Sequence, residues 1–70
     1  MALPFTNGIR TLRFLAGERT QGDLGDKVGV TRQTIAAIEQ GKYSPSLDVA
    51  FRIAQTFDRP LEEVFRWSLE

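Results

Sequence analysis

Neither cysteine nor histidine occurs anywhere in the chain. That absence removes disulfide bridges and the usual zinc ligands, and leaves carboxylates, Ser, Thr, Lys and Tyr43 as the only catalytic side-chain types. The carboxylate pairs Asp23/Asp26 and Glu62/Glu63 fall at predicted helix starts, where capping and the helix dipole account for them. The glycines at 22, 25 and 29 do not make the GxGxxG loop that cradles a phosphate. No enzyme activity, cofactor, metal or small-molecule ligand is therefore expected. No apolar run approaches the ~18 residues of a membrane span. Residues 1–5 lack both a basic n-region and an apolar h-region of ~7 residues, so they do not read as a signal peptide, and a cytoplasmic protein without membrane contact is expected. Net charge is missing too: nine Lys and Arg balance nine Asp and Glu.

What remains is one domain, residues 1–70, with a hydrophobic share of 41% that suffices for a core and argues against disorder. A chain this short buries only about 60% of its unfolded surface, so a second subunit is the expected extra support. The charge is uneven. Up to Tyr43 six basic residues stand against four acids, and after it three stand against five. A near-neutral nucleic-acid binder has weak non-specific affinity and depends on base contacts.

The chain opens with residues 1–5, apolar and interrupted by Pro4, which suit an edge strand or a tail rather than a helix interior. Thr6 and Asn7 are good N-cap types for a first helix over 9–16, with Ile9, Leu12 and Ala16 on one stripe and Gly17 ending it. Thr20 and Asp23 have capping-box spacing for a second helix over 21–28, where Leu24 and Val28 are apolar at i and i+4. Gly22 and Gly25 weaken that helix, each by up to ~1 kcal/mol against Ala. Gly25 reads either as mere weakness or as a place where another helix passes too close for a side chain. Gly29 ends the second helix and Thr31 caps the third.

On a wheel of about 100° per residue, Ile35 and Ile38 of the third helix point together into a core. Gln33, Ala36, Ala37 and Gln40 point the other way, with Arg32 and Thr34 on the flanks. An ordinary solvated face favours Glu and Lys. Small residues instead let a helix lie close to a surface, and amides can pair bidentately with a base edge. Residues 20–43 thus read as two short helices and a tight turn, a helix-turn-helix whose polar face suits the major groove of DNA. Gly41 ends the third helix. Ser46 caps a fourth over 47–57, where Leu47, Ala50, Ile53, Ala54 and Phe57 keep core spacing. Pro60 suits the first position of a fifth helix carrying Leu61, Val64 and Phe65. Residues 65–69 alternate apolar and polar as a short strand does, and pair either with residues 3–5 or with a symmetry mate.

At this point the chain resembles the phage-repressor-like (Cro/C1, XRE) regulators. Counting Gln21 as the first motif position, that family wants apolar residues where Leu24, Val28, Val30, Ile35 and Ile38 stand, Gly where Gly29 stands, and usually Ala where Gly25 stands. The string RQTIAAIEQGKYSPSLDVAFRIAQTFDRPLEEVFRW is similar to the compact stand-alone branch typified by the cytolysin-operon repressor. The resemblance spans residues 9–67. It implies a mainly α-helical, five-helix domain with a small antiparallel two-stranded sheet, working as a dimer on double-stranded DNA. One departure is the 16–19 turn, which looks one residue longer than usual.

By the same resemblance Arg32, Gln33 and Thr34, with Ala36 and Ala37 beyond them, are the base readers. Gln33 suits adenine, Arg32 either a guanine or a phosphate, and the Ala methyls thymine methyls. Gln21 anchors a phosphate at a helix N-terminus and braces the recognition helix, and Gly41, Lys42, Tyr43, Ser44 and Ser46 form a second clamp. The alternative for Lys42 is an ordinary surface lysine. Arg13 and Glu39 are expected as a partly buried ion pair locking the first helix to the third. Val64, Phe65, Trp67 and Leu69, in a dimerisation segment over about 61–70, offer more apolar surface than one small domain covers; the alternative is that Trp67 folds back on its own core. The expectation is a homodimeric repressor on a palindromic operator. The alternative is a protein-interaction module such as an antitoxin or co-regulator, which the neutral charge allows.

Overall fold

The computed structural model of the protein describes residues 3–17 and 19–68. Within them the order is β1 (Phe5–Asn7), α1 (Ile9–Leu15), α2 (Gln21–Val28), α3 (Arg32–Glu39), α4 (Leu47–Thr56), α5 (Leu61–Val64) and β2 (Phe65–Trp67). None of these helices is long enough to persist alone in water. Each contributes to one shared core instead: Ile9 and Leu12 from α1, Leu24 and Val28 from α2, Ile35 and Ile38 from α3, Ile53 and Ala54 from α4, and Val64 from α5. Full burial of such a side chain contributes about 1.5–3 kcal/mol, so the fold rests on these few positions. No helix among the described residues is long and apolar enough to cross a membrane.

The strands pair antiparallel, with Phe5 opposite Trp67, Thr6 opposite Arg66 and Asn7 opposite Phe65. The expected C-terminal strand, formed over residues 65–67, thus finds its partner in its own chain, two residues further along than residues 3–5. The Ser68 N–H to the Pro4 carbonyl (2.8 Å) extends the ladder, and the Gly8 N–H to the Val64 carbonyl (2.9 Å) ties it to α5. The Phe5 and Phe65 rings meet edge to face, centroids 6.0 Å apart, a favoured aromatic geometry.

Several expectations need correction. Thr6 lies in β1 and caps nothing. The N-cap of α1 is Gly8, and the first N–H of the helix is taken up by the Asn7 Oδ1 atom (3.2 Å). Leu47 has core spacing but is 68% exposed, because it sits on the first turn of α4, beyond the reach of the core. Pro60 is the N-cap of α5 rather than its first residue. Val64 is fully buried inside its own subunit, which withdraws its side chain from any dimer surface. Leu69 lies outside the described residues.

Candidate nucleic-acid interface

The site starts with the α2–α3 unit. Thr20 closes the expected capping box: its side chain accepts the Asp23 N–H (3.0 Å), and the Asp23 carboxylate accepts the Thr20 N–H (3.3 Å). Gly29 ends α2 at φ 84°, a left-handed conformation that glycine adopts without penalty. Thr31 then starts α3, its hydroxyl accepting the Thr34 N–H at 3.1 Å. A Cβ on Gly25 would lie 2.6 Å from the Val30 carbonyl oxygen. The close neighbour is therefore the backbone of the α2–α3 turn, not another helix. The missing side chain lets the start of α3 approach α2 closely.

α3 buries Ile35 and Ile38. Arg32, Gln33 and Gln40 are exposed, and Thr34, Ala36 and Ala37 are half-buried. The Thr34 hydroxyl is 3.0 Å from that of Thr31, so it already has a partner inside the cap. The outer surface of α3 therefore carries a long cation and two amides over small side chains.

Behind this surface lies the Glu39 carboxylate. Its Oε2 accepts Arg13 Nε at 2.7 Å and its Oε1 accepts Arg13 Nη2 at 3.1 Å, a bidentate pair with side chains only 17% and 7% exposed. Oε1 also accepts Gln21 Nε2 at 3.3 Å, and Arg13 Nη1 donates to the Arg19 carbonyl at 2.8 Å. One carboxylate thus fastens α3 to α1 and to the N-terminus of α2. Burial weakens screening by water, so this pair holds where a surface pair would not. Gln21 is half-buried and braces α3 through Glu39, whereas a purely phosphate-anchoring amide would point to solvent.

Past α3, Gly41 is left-handed (φ 74°), its N–H bonded to the Ile38 carbonyl and the Lys42 N–H to the Ala37 carbonyl, both at 3.0 Å. These two bonds form a Schellman cap. Gly41 therefore has no free donor for a phosphate, and Lys42 has only its exposed ammonium. Tyr43 and Ser44 are exposed beside it. Ser46 is the N-cap of α4, but its hydroxyl donates to the Asp48 carboxylate at 2.8 Å rather than capping the helix. That bond, with help from Arg52, holds the Asp48 pKa below the usual carboxylate value. The negative charge sits at the helix end expected to receive a phosphate.

Two residues outside the expected set join the site. Arg10 and Arg19 line an open groove of about 580 Å³ together with Arg13, Phe14, Thr20, Gln21 and Arg32. No carboxylate among the described residues lies within salt-bridge distance of Arg10, Arg19 or Arg32. The spacing of Arg10 and Arg13, three apart on α1, is the sequence signal that points to this groove. Of the residues expected at a dimer interface, Trp67 is 63% exposed and Phe65 half-buried against Phe5.

A family model described as helix-turn-helix matches residues 9–64. The chain is 49% identical over 59 residues to YgzD of Bacillus subtilis, covering 84% of this chain and 88% of that protein. It is 59% identical over 46 residues to a protein of Methanocaldococcus jannaschii, covering 66% and 70%. Both relatives are named uncharacterized HTH-type transcriptional regulators. The fold is similar to the crystal structure of a candidate DNA-binding protein from Bacteroides fragilis, with a TM-score of 0.75 and 22% identity over 89% of this chain and 98% of that one. With four of its apolar motif positions buried and Val30 partly so, its Gly29 turn in place and four-fifths of its length matched, the chain belongs to the Cro/C1-type (XRE) helix-turn-helix family.

Proposed function

We propose that the protein is a sequence-specific DNA-binding transcriptional repressor, acting as a homodimer on a palindromic operator with α3 in the major groove. The observation that carries this reading is the outer face of α3: exposed Arg32 and Gln33 over half-buried Ala36 and Ala37, on a helix braced from behind by Glu39. A planar amide and a guanidinium suit adenine and guanine edges, and small neighbours permit the approach. Thr34 contributes a methyl rather than a free hydroxyl. Arg10, Arg19 and Arg32, with the α2 N-terminus, suit one backbone phosphate, and Lys42, Tyr43 and Ser44 suit another. The two-fold axis of a dimer joined through Trp67 and the outer side of Phe65 matches a palindrome. The names of the relatives agree with a regulator.

The second reading, a protein-interaction module, is favoured by the exposed Phe14 and Leu15 side by side at the end of α1. Selection of sites from random duplex DNA separates the two. The repressor reading expects a palindromic consensus with wild type and loss of one symmetric base preference with Gln33→Ala. Absence of any enrichment at moderate salt would overturn it in favour of the interaction module.

A further inference from the structure

Asn7 joins three elements. Its backbone lies in β1, opposite Phe65 of β2. Its Oδ1 accepts the N–H of Ile9, the first residue of α1, at 3.2 Å. Its Nδ2 donates to the Ile38 carbonyl, in the last turn of α3, at 2.9 Å. The partners dictate the orientation of the amide, since an N–H needs an acceptor and a carbonyl needs a donor. Among the described residues no other hydrogen bond joins the sheet to α3. The bond to Ile9 is an ordinary Asx turn, which Asp or Ser supplies as well. The bond to Ile38 spans 31 residues and serves no turn. Its acceptor also takes the Gly41 N–H, so it bears on the cap that launches the Lys42 loop.

We propose that Asn7 is a positioning residue for DNA recognition, through which the β1–β2 sheet sets the tilt of α3. This rests on the function proposed above. An eight-residue helix is about 12 Å long. A tether at its C-terminal end therefore acts as a lever on Arg32 and Gln33 at the other. Bidentate base contacts tolerate little displacement, whereas attraction to phosphates is long-ranged and forgiving. The sheet also carries Trp67, so a second copy docking there reaches the reading helix through Asn7.

Asn7→Ser and Asn7→Asp both keep an acceptor for the Ile9 N–H. Neither reaches Ile38 as a donor: the serine hydroxyl is too short and the ionised aspartate only accepts. The test compares both variants with wild type for dimerisation, affinity for the wild-type selected operator, and affinity for random duplex at the same salt. The expected result is unchanged dimerisation, an operator affinity lowered about fivefold in both, and random-duplex affinity altered by less than about twofold. Wild-type discrimination in Asn7→Ser overturns the proposal. So does a parallel loss on both DNAs confined to Asn7→Asp, which would be a charge effect. Should the variants fail to fold, amide exchange in the last turn of α3 is compared between wild type and Trp67→Ala. A change there supports the coupling and identical exchange overturns it. That comparison needs no DNA, so it separates failure of the lever from failure of the repressor reading, which an absent operator would signal.

Discussion

Glu39 holds α3 in place through a single carboxylate. Replacing it by Gln leaves the Arg13 guanidinium largely buried without its counter-charge and cuts the brace to Gln21. Breaking such a pair from one side costs about 3 kcal/mol, to be read as a lower urea midpoint at unchanged slope. Gly25 makes a sharper prediction, because the family usually places Ala there. An Ala would gain about 1 kcal/mol of helix propensity. Its Cβ would also press within 2.6 Å of the Val30 carbonyl, which is backbone and cannot step aside cheaply. Overpacking of that kind costs about 1–3 kcal/mol, so Gly25→Ala is expected to be destabilising by about 1 kcal/mol net. An increase in thermal midpoint would contradict the contact. Asp48 acts on affinity instead. Its pKa is lowered chiefly by the Ser46 hydroxyl, so its charge is complete above the ordinary carboxylate range and is lost only as pH falls below it. At neutral pH that charge repels phosphate from the start of α4. Asp48→Asn is expected to raise affinity for operator and random duplex alike, by about the same factor, in titrations at fixed salt. An unchanged affinity would mean no phosphate passes there.

The ends of the elements divide what was readable in the sequence from what was not. The capping box of Thr20 and Asp23, the Thr31 cap and the left-handed Gly29 and Gly41 all use partners within about five residues, so residue type and spacing reveal them. The Arg13–Glu39 pair was legible through the family resemblance. Asn7 was legible only in half: as a capping type it was expected at α1, but nothing local signals its bond to Ile38. Leu47 shows the limit of periodicity, which says which side chains share a face but not whether anything covers that face. Val64 shows the converse, an apolar residue read as interface that is consumed by its own core. The C-terminus of α4 went unread as well. Asp58 occupies the left-handed position (φ 55°), with its own N–H bonded to the Gln55 carbonyl and the Arg59 N–H to the Ala54 carbonyl. A non-glycine residue there carries backbone strain, and its negative charge opposes the helix dipole. Asp58→Gly is expected to stabilise by up to about 1 kcal/mol, or roughly 4–8 °C in thermal midpoint for a domain of this size. A lower midpoint would mean the Asp side chain has an unrecognised partner.

As a whole the molecule has no net charge. On the proposed function, binding has to come from local arrangement: three arginines gathered around the α2 N-terminus, an amide-bearing α3, and two copies acting together. Doubling the contacts through a dimer raises affinity without raising the charge of either subunit. Trp67 is the natural probe of that pairing. It is mostly exposed, whereas Phe65 also supports Phe5, so Trp67→Ala alone is the cleaner variant. Sedimentation is expected to give a dimer for wild type at micromolar concentration and a monomer for Trp67→Ala; a monomeric wild type would remove the two-fold from the proposal. The central claim is that α3 reads bases while the Lys42 loop only holds the backbone. It is tested most directly by titrating the selected operator, and single-base variants of it, with wild type, Gln33→Ala and Lys42→Ala over a range of salt. The account predicts that Gln33→Ala loses discrimination at one symmetric pair of positions, worth about 1–3 kcal/mol, and keeps the salt slope. It predicts that Lys42→Ala weakens binding to every duplex equally and lowers the slope by about two, one for each subunit of the dimer. Intact discrimination in Gln33→Ala, with a reduced slope, would contradict it.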